Sequence, residues 1–158
     1  MCYKILEKLN INYETISHPP VYTCEEADNY HNNPDVARSK NLFLRNKGGS
    51  RHYLVIIEGS KKVNLKELAS LLDEKKLTFA SPETLLKYLN VTAGAVGPFG
   101  LIYDADREVT VVLDEDFSKY QKVGFHPNVN TATLVISSDD FRKYLEFTGH
   151  RVVSLNFR

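Results

Sequence analysis

Apolar positions recur along this chain with two different periods, which predict a mixture of helices and strands. Pro82 after Ser81 marks a helix start, and Gly149 after the last helical pattern marks a helix end. Helical spacing, together with N-cap residues, predicts helices over Tyr3–Leu9, from Thr23 to near Tyr30, from Asn64, from Ser81 and from Ser138.

The remaining apolar segments are short and are bounded by turn residues, which is typical of strands. The turn residues at 46–49 predict a β-hairpin, and its second strand is apolar on both faces and therefore central. Helices and strands interleave irregularly, so the pattern predicts an α+β fold. The predicted strands are Tyr13–Ile16, Lys40–Arg45, Arg51–Ile57, Leu101–Tyr103, Val109–Leu113, Lys122–Phe125, Thr133–Ile136 and Val152–Leu155.

Length and composition favour one globular domain over residues 1–158, since 42% of the residues are hydrophobic and 25% are charged. Apolar runs of about five residues are far shorter than the roughly 20 that cross a bilayer, and the N-terminus lacks the apolar core of a signal peptide. We therefore expect a cytoplasmic protein with no membrane partner. Cys2 and Cys24 are expected to be reduced thiols.

The charges cancel overall but are unevenly distributed along the chain. Twenty Lys and Arg balance twenty Asp and Glu, which gives no bulk argument for a nucleic-acid partner. Between Arg38 and Lys66, however, eight basic residues stand against Glu58 alone, and between Leu101 and Tyr120 acids dominate. The pattern predicts either a basic region suited to phosphate groups or a solvated face with a chance bias.

Several kinds of site are disfavoured. The glycine-rich segment Gly94–Gly100 lacks GxGxxG order, contains Pro98 and is predicted to lead into a strand, so a dinucleotide site is not expected. The five histidines show no metal-binding spacing, and no serine lies in a nucleophile elbow. Cys24 at a helix start favours a structural thiol. We expect no metal and no cofactor.

Two positions are better candidates for chemistry. Lys40 lies on the same side of its predicted strand as Leu42 and Leu44, so its ammonium could stand at the mouth of an apolar pocket and bind a carbonyl or carboxylate oxygen. The alternative is a surface lysine whose stem covers apolar neighbours. His126 lies in a turn after a strand, where a site residue and a structural histidine are both expected.

Four motifs together resemble one family, the YbaK/ProX group of freestanding aminoacyl-tRNA deacylases, which is related to the editing domain inserted in bacterial prolyl-tRNA synthetase. The similarity extends over about residues 1 to 158 and is greatest to the ProX, or PrdX, branch. It implies a mixed, curled, barrel-like sheet with flanking helices. The motifs are HPPVYTCEEA at His18–Ala27, KNLFLRNKGG at Lys40–Gly49, GAVGPFG at Gly94–Gly100 and GFHPN at Gly124–Asn128.

The resemblance implies hydrolysis of alanine from mischarged proline tRNA. The partner would be the acceptor end of tRNA(Pro) carrying alanine, with prolyl-tRNA synthetase as a further candidate, and a monomer is favoured over a dimer. Two alternatives stay open. One is the removal of cysteine from tRNA(Pro) by a protein of the same family, and the other is a non-catalytic module that binds tRNA or a synthetase.

The resemblance also implies roles for individual residues. Lys40 corresponds to the functional lysine of the family, which holds and polarises the aminoacyl group while water attacks and the ribose hydroxyl of the substrate assists. The implied substrate contacts are Asn41 beside it, Gly94, Gly97 and Pro98 of the glycine-rich loop, Tyr22 and Thr23 of the entry segment, and His126 and Asn128 of the turn that closes the pocket.

Overall fold

The computed structural model describes residues 2–17, 36–59, 61–92, 95–125 and 132–156. Within these residues, eight strands form one mixed sheet that is flanked by helices. The strands are β1 (Tyr13–Ser17), β2 (Val36–Asn46), β3 (His52–Glu58), β4 (Leu77–Phe79), β5 (Val109–Asp114), β6 (Lys122–Phe125), β7 (Ala132–Ser137) and β8 (Val152–Leu155). The helices are α1 (Cys2–Lys8), α2 (Leu65–Leu71), α3 (Pro82–Leu89) and α4 (Ser138–Thr148), with 3₁₀ helices at Pro98–Tyr103 and Glu115–Lys119.

The strand order is β1-β7-β6-β2-β3-β5-β8, with β4 added beside β2. Strand β2 runs parallel to β6 and antiparallel to β3 and β4, while β5 runs parallel to both β3 and β8. Among the described strands, β1 and β8 do not pair with each other, so the sheet is open rather than a closed barrel. The α+β class and the mixed sheet with flanking helices are confirmed.

The predicted hairpin is confirmed as β2 and β3, and β3 is central, as its two apolar faces predicted. Every residue of β3 is buried. The face that carries Leu54 and Ile56 belongs to the larger core, which includes Phe43, Phe99 and residues of α1, α3 and α4. The opposite face, with Val55, belongs to a smaller core beneath α2. Both faces of this part of the sheet are therefore covered.

The helix ends follow the local signals in the sequence. The side chain of Ser81 accepts from the Thr84 amide and caps α3, which has Pro82 in its first turn. Gly149 ends α4 with a left-handed backbone, as predicted. The N-cap of α4 is Ser137, one residue before the predicted Ser138. In the part of the chain that the structure describes, no helix has the length and apolar character needed to span a membrane.

The glycine-rich loop corrects two predictions. The strand predicted at Leu101–Tyr103 is wrong, because Pro98–Tyr103 forms a 3₁₀ helix that begins with a proline and packs against α3. The loop therefore leads into a short helix and not into a strand. The short strand β4 was not predicted, and the helix predicted from Thr23 to Tyr30 lies outside the described residues.

Gly100 determines how closely this 3₁₀ helix approaches α3. A Cβ atom at Gly100 would lie 2.6 Å from the Leu89 carbonyl oxygen and 2.8 Å from the Leu89 Cβ. We expect Gly100→Ala to lower the free energy of unfolding by about 1–3 kcal/mol, because backbone atoms cannot move aside easily. Urea denaturation measures this change. Gly48→Ala is the matched control, since a Cβ there meets nothing within 4 Å, and equal stability of the two variants would contradict the expectation.

Candidate functional site

One edge of β2 is shared between two strands that do not meet. Val36–Arg38 pair with β6, and Leu44–Asn46 pair with β4, whereas the other edge of β2 pairs with β3 along Ser39–Arg45. Between these two pairings, none of the described strands pairs with the shared edge. We call the middle of this stretch of β2, residues 40–42, the sheet gap. Lys40 lies within it.

The main chain of Asn41 faces the sheet gap. The carbonyl oxygen of Phe43 accepts from the Ala80 amide at 3.0 Å, so the peptide groups of Phe43 point towards the shared edge and away from β3. Alternate residues of a strand direct their peptide groups to the same edge. The amide and carbonyl of Asn41 therefore also face the gap, where they could contact a bound molecule.

The side chain of Asn41 is oriented by a short hydrogen-bond chain. The Ser39 hydroxyl donates to the Gly124 carbonyl of β6 at 2.8 Å and accepts from Asn41 Nδ2 at 2.9 Å. Because Ser39 uses its proton on Gly124, the atom of Asn41 that faces Ser39 must be the nitrogen. The other amide atom, Asn41 Oδ1, is buried and has no hydrogen-bond partner among the described residues. Asn41 therefore carries an unused acceptor beside the gap.

Lys40 lies on the opposite face of β2 from Asn41. Its register partner is Ile57 of the smaller core, and it shares this face with Leu42 and Leu44, as the alternation predicted. The side chain is half-buried, and its ammonium donates to the Lys61 carbonyl oxygen at 2.8 Å. Lys40 is therefore an ordered, directed cation rather than a freely solvated surface lysine.

The turn that supplies this carbonyl is fixed by a cluster of charges. Asp114 at the end of β5 is 1% exposed, and its carboxylate accepts from the Glu58 amide at 3.0 Å and from the Lys61 ammonium at 2.9 Å. Asp116 accepts from the same ammonium at 2.6 Å and pairs with Lys119 at 3.0 Å. We call Lys61, Asp114 and Asp116 the turn clamp.

The clamp shifts the pKa values of Lys61 and Asp116. Burial lowers the pKa of Lys61, but the hydrogen bonds to Asp116 and Asp114 outweigh that effect and raise the pKa above its usual value. The hydrogen bonds from Lys61 and then Lys119 lower the pKa of Asp116. Both shifts favour the charged forms of Lys61 and Asp116 at neutral pH.

Gly97 and Pro98 lie among residues of the larger core. Both are buried, and the Pro98 carbonyl accepts from the Tyr144 hydroxyl at 2.8 Å. Their neighbours Val96 and Phe99 pack in the same core as Ile56, the register partner of Asn41. The structure thus places the glycine-rich loop on the Asn41 side of the sheet and Lys40 on the other side.

Other predicted site residues lie outside the described residues, namely Tyr22, Thr23, Gly94, His126 and Asn128. In the sequence, His126 directly follows β6, the strand that Ser39 contacts. A cavity of about 310 Å³ beside Asp114 and Arg142 is lined by none of the predicted site residues. We do not assign it to the site.

The basic region is more divided than the sequence suggested. Lys61, one of the eight basic residues counted between 38 and 66, is neutralised by the acids of the turn clamp. Five exposed cations gather instead near the tip of the β2–β3 hairpin and the start of β4, where the antiparallel register continues from Asn46 opposite Leu77. We call them the tip cluster: Arg45, Lys47, Arg51, Lys75 and Lys76.

The sequence reasoning missed the turn clamp and Ser39. Asp114 was counted as part of an acidic stretch, although its position directly after an apolar, buried strand is a signal for a buried carboxylate. Lys61 was counted among the eight basic residues between Arg38 and Lys66 without its acidic partners. Ser39 carried no signal, because the Gly124 carbonyl that it contacts lies 85 residues away in the chain.

The arrangement suits the binding of an ester. The ammonium of Lys40 can bind a carbonyl oxygen, and the main-chain groups of the sheet gap can bind a phosphate or a hydroxyl. The unused amide oxygen of Asn41 can accept from an amine. Among the described residues no nucleophilic side chain is placed beside Lys40. The chemistry that these groups support is polarisation and positioning rather than covalent attack.

Comparison with known proteins places these features in a family. The family model for the aminoacyl-tRNA editing domain matches residues 18–144. The prolyl-tRNA editing protein ProX of Acetoanaerobium sticklandii is 44% identical over 146 residues, which cover 92% of this chain and 88% of that protein. The prolyl-tRNA synthetase associated domain-containing protein 1 of Bos taurus is 37% identical over 156 residues, covering 96% and 91% of the two chains.

A solved structure has the same fold. A protein described as a proposed trans-editing enzyme for prolyl tRNA synthetase superposes with a TM-score of 0.73 and 21% identity, covering 99% of this chain and 97% of that one. At this identity the match shows the fold alone. The matched domain includes the sheet gap, the glycine-rich loop and β6. By sequence, the chain belongs to the aminoacyl-tRNA editing domain family.

Proposed function

We propose that this protein is a trans-editing deacylase that hydrolyses the ester of alanine on mischarged tRNA(Pro). The observation that carries the proposal is the half-buried side chain of Lys40, a residue of the sheet gap whose ammonium is held by the Lys61 carbonyl oxygen at 2.8 Å. The relative named a prolyl-tRNA editing protein, 44% identical over most of both chains, supports the choice of tRNA. The membership in an editing-domain family supports the reaction type.

The proposed reaction needs no covalent intermediate. Water adds to the ester carbonyl carbon, the bond from that carbon to the ribose oxygen breaks, and the ribose oxygen takes a proton. Alanine leaves as its carboxylate with free tRNA, and the second proton of the water passes to solvent. An aminoacyl ester is already activated, so a positioned cation that stabilises the developing oxyanion supplies what the reaction requires. Lys40 is the proposed cation, and the free ribose hydroxyl of the substrate helps to orient the water.

The proposed entry point for the aminoacyl end is the sheet gap. A strand edge without a partner exposes main-chain donors and acceptors that can bind the terminal nucleotide. The main chain of Asn41 faces this edge, Lys40 lies on one side of the sheet, and Gly97 and Pro98 lie on the other. The substrate-binding roles proposed for Tyr22, Thr23, Gly94, His126 and Asn128 rest on their match to the family motifs.

The tip cluster is the proposed contact for the tRNA backbone. Lys47 lies seven positions after Lys40, just beyond the end of β2, which corresponds to about 23 Å along an extended strand. A nucleic-acid stem can span this distance while its end reaches the gap. The acid Glu74 near the cluster pairs with Arg51 at 3.8 Å and also accepts from Tyr53 and Asn46, so it offsets one of the five cations.

Charge reversal in the tip cluster tests this path. We expect Lys47→Glu/Lys76→Glu to weaken the binding of uncharged tRNA(Pro) by about tenfold or more and to reduce the salt dependence of log Kd by about one for each lost phosphate contact. The rate of hydrolysis at saturating protein should stay unchanged, because the cluster is remote from Lys40. Lys4→Glu/Arg142→Glu, on exposed positions of α1 and α4, is the control. Equal binding by both double variants would contradict the path.

The problem that editing solves supports a small amino acid as the substrate, and we propose alanine because the family resemblance implies it. Synthetases discriminate poorly between small amino acids by binding alone, so a second, smaller hydrolytic site removes the misattached residue. The test is single-turnover hydrolysis of tRNA(Pro) charged separately with alanine, cysteine and proline, at matched low salt. The proposal expects fast release of alanine with proline spared. Preferential release of cysteine would assign the cysteine-clearing branch, and release of proline would overturn the proposed selectivity.

A further inference from the structure

We propose that the turn clamp positions the Lys40 ammonium and keeps its charge available to the substrate, so that Lys61 is a positioning residue for the reaction. The proposal rests on the proposed function only for its consequence on the rate. Its structural part concerns the place and the surroundings of one ammonium group, which can be measured without any substrate.

The contact that holds Lys40 joins two distant parts of the chain. Its ammonium donates to the main-chain carbonyl of Lys61 at 2.8 Å, and the two residues are 21 positions apart in the chain. The main-chain carbonyl of Lys61 can move only if the turn that contains it moves. The position of the Lys40 ammonium is therefore determined by whatever fixes the turn between β3 and Lys61.

Asp114 holds both ends of this turn. Its carboxylate accepts from the Glu58 amide, where β3 ends, and from the Lys61 ammonium, where the turn ends. The Lys61 amide also donates to the Glu58 carbonyl at 3.1 Å. Asp114 itself is held rigidly, because it is the last residue of β5 and also accepts from the Asp116 amide at 3.0 Å.

Lys40 and Lys61 have different partners, one neutral and the other acidic. Lys40 donates to a neutral carbonyl, whereas the two carboxylates of the cluster bind Lys61, and Asp116 also binds Lys119. A carboxylate paired with Lys40 would offset the positive charge that an ester oxyanion needs. By occupying Asp114 and Asp116, Lys61 leaves the charge of Lys40 directed at the neutral carbonyl and at the substrate.

Lys61→Met tests the proposal, because methionine keeps most of the aliphatic length and removes the ammonium. We expect the rate of alanine release at saturating protein to fall by about 10- to 100-fold, while the Kd for uncharged tRNA(Pro) stays within about twofold. Lys61→Arg, which keeps the charge, should recover most of the rate. The control is Lys122→Met, which removes a surface ion pair with Glu14 and should leave the rate unchanged.

A merely structural role for Lys61 gives a different result. If Lys61→Met acts through Lys40, it should cause no further loss of rate in a Lys40→Ala background. An additional loss of similar size there, or a loss in tRNA binding that matches the loss in rate, would overturn the positioning role. Thermal unfolding of each variant shows whether the folded fraction accounts for the change.

A substrate-free measurement separates this proposal from the proposed function. Acetylation of lysines by a limiting amine reagent, followed residue by residue by mass spectrometry, should be slow at Lys40 and fast at the exposed Lys62 in the wild-type protein. Lys61→Met should raise the rate at Lys40 several-fold and leave Lys62 unchanged. If the wild-type protein releases no amino acid but this labelling shift is found, the proposed function fails and the clamp stands. No labelling shift overturns the clamp.

Discussion

Lys40→Ala is expected to lower the single-turnover rate of alanine release from Ala-tRNA(Pro) by about 100- to 1000-fold, the usual effect of removing a group that stabilises an oxyanion. The folded state should survive, because the side chain is only half-buried and its one described hydrogen bond is to a main-chain carbonyl. Rapid-quench measurement of released alanine gives the rate, and urea denaturation gives the stability.

The exposed neighbour Lys62 provides the control for this variant. Lys62→Ala removes an ammonium that is close in sequence to the turn clamp. Within the described residues, this ammonium makes no ion pair or hydrogen bond to the site. Its rate should stay within about twofold of wild type. A Lys40→Ala protein that is folded and still releases alanine at the wild-type rate would remove Lys40 from the mechanism.

Asp114→Ala is expected to lower the free energy of unfolding by about 3–5 kcal/mol. The carboxylate side chain is fully buried, and removing it leaves the Lys61 ammonium and the Glu58 amide without their acceptor. Breaking a buried ion pair from one side costs this much because the remaining charge stays desolvated. Urea or thermal unfolding measures the loss.

Asp106→Ala, on an exposed turn, is the matched control and should change stability by less than about 0.5 kcal/mol. Similar losses for the two variants would show that burial of Asp114 does not matter.

The turn clamp also makes the stability of the protein depend on pH. The stabilisation that Asp116 contributes is lost as the pH falls through the lowered pKa of its carboxyl group. The stabilisation that Lys61 contributes is lost as the pH rises through the raised pKa of its ammonium.

Local structure was predictable because its determinants are neighbours in sequence. The hairpin followed from turn residues between two apolar segments, and the start of α3 followed from Ser81 and Pro82. The alternation that placed Lys40 with Leu42 and Leu44 was also correct. Each of these signals acts over a few residues, where side-chain geometry and main-chain preferences decide the outcome.

The strand predicted at Leu101–Tyr103 shows where the pattern is ambiguous. A short apolar run fits a buried strand and a buried helical turn equally well. Here Pro98 starts a 3₁₀ helix, and Gly100 allows it to lie against Leu89, a contact that no local pattern contains. The family resemblance identified the loop by its motif without giving its conformation.

The candidate site depended on contacts between distant parts of the chain. The acceptor for Lys40 is a main-chain carbonyl, and such a group leaves no trace in the sequence. The sheet gap arises because β6 and β4 pair with different halves of one edge of β2, a consequence of topology rather than of any one segment. The neutralisation of Lys61 required the acids of β5 and of the following turn to come close.

The most direct test of the proposed function is single-turnover hydrolysis of Ala-tRNA(Pro) by the wild-type protein in excess, with spontaneous hydrolysis measured in parallel. The proposed function predicts exponential release of alanine far above the spontaneous rate, with intact tRNA(Pro) as the other product. Release at the spontaneous rate, while uncharged tRNA(Pro) still binds, would contradict the deacylase and establish a protein that binds tRNA without editing it.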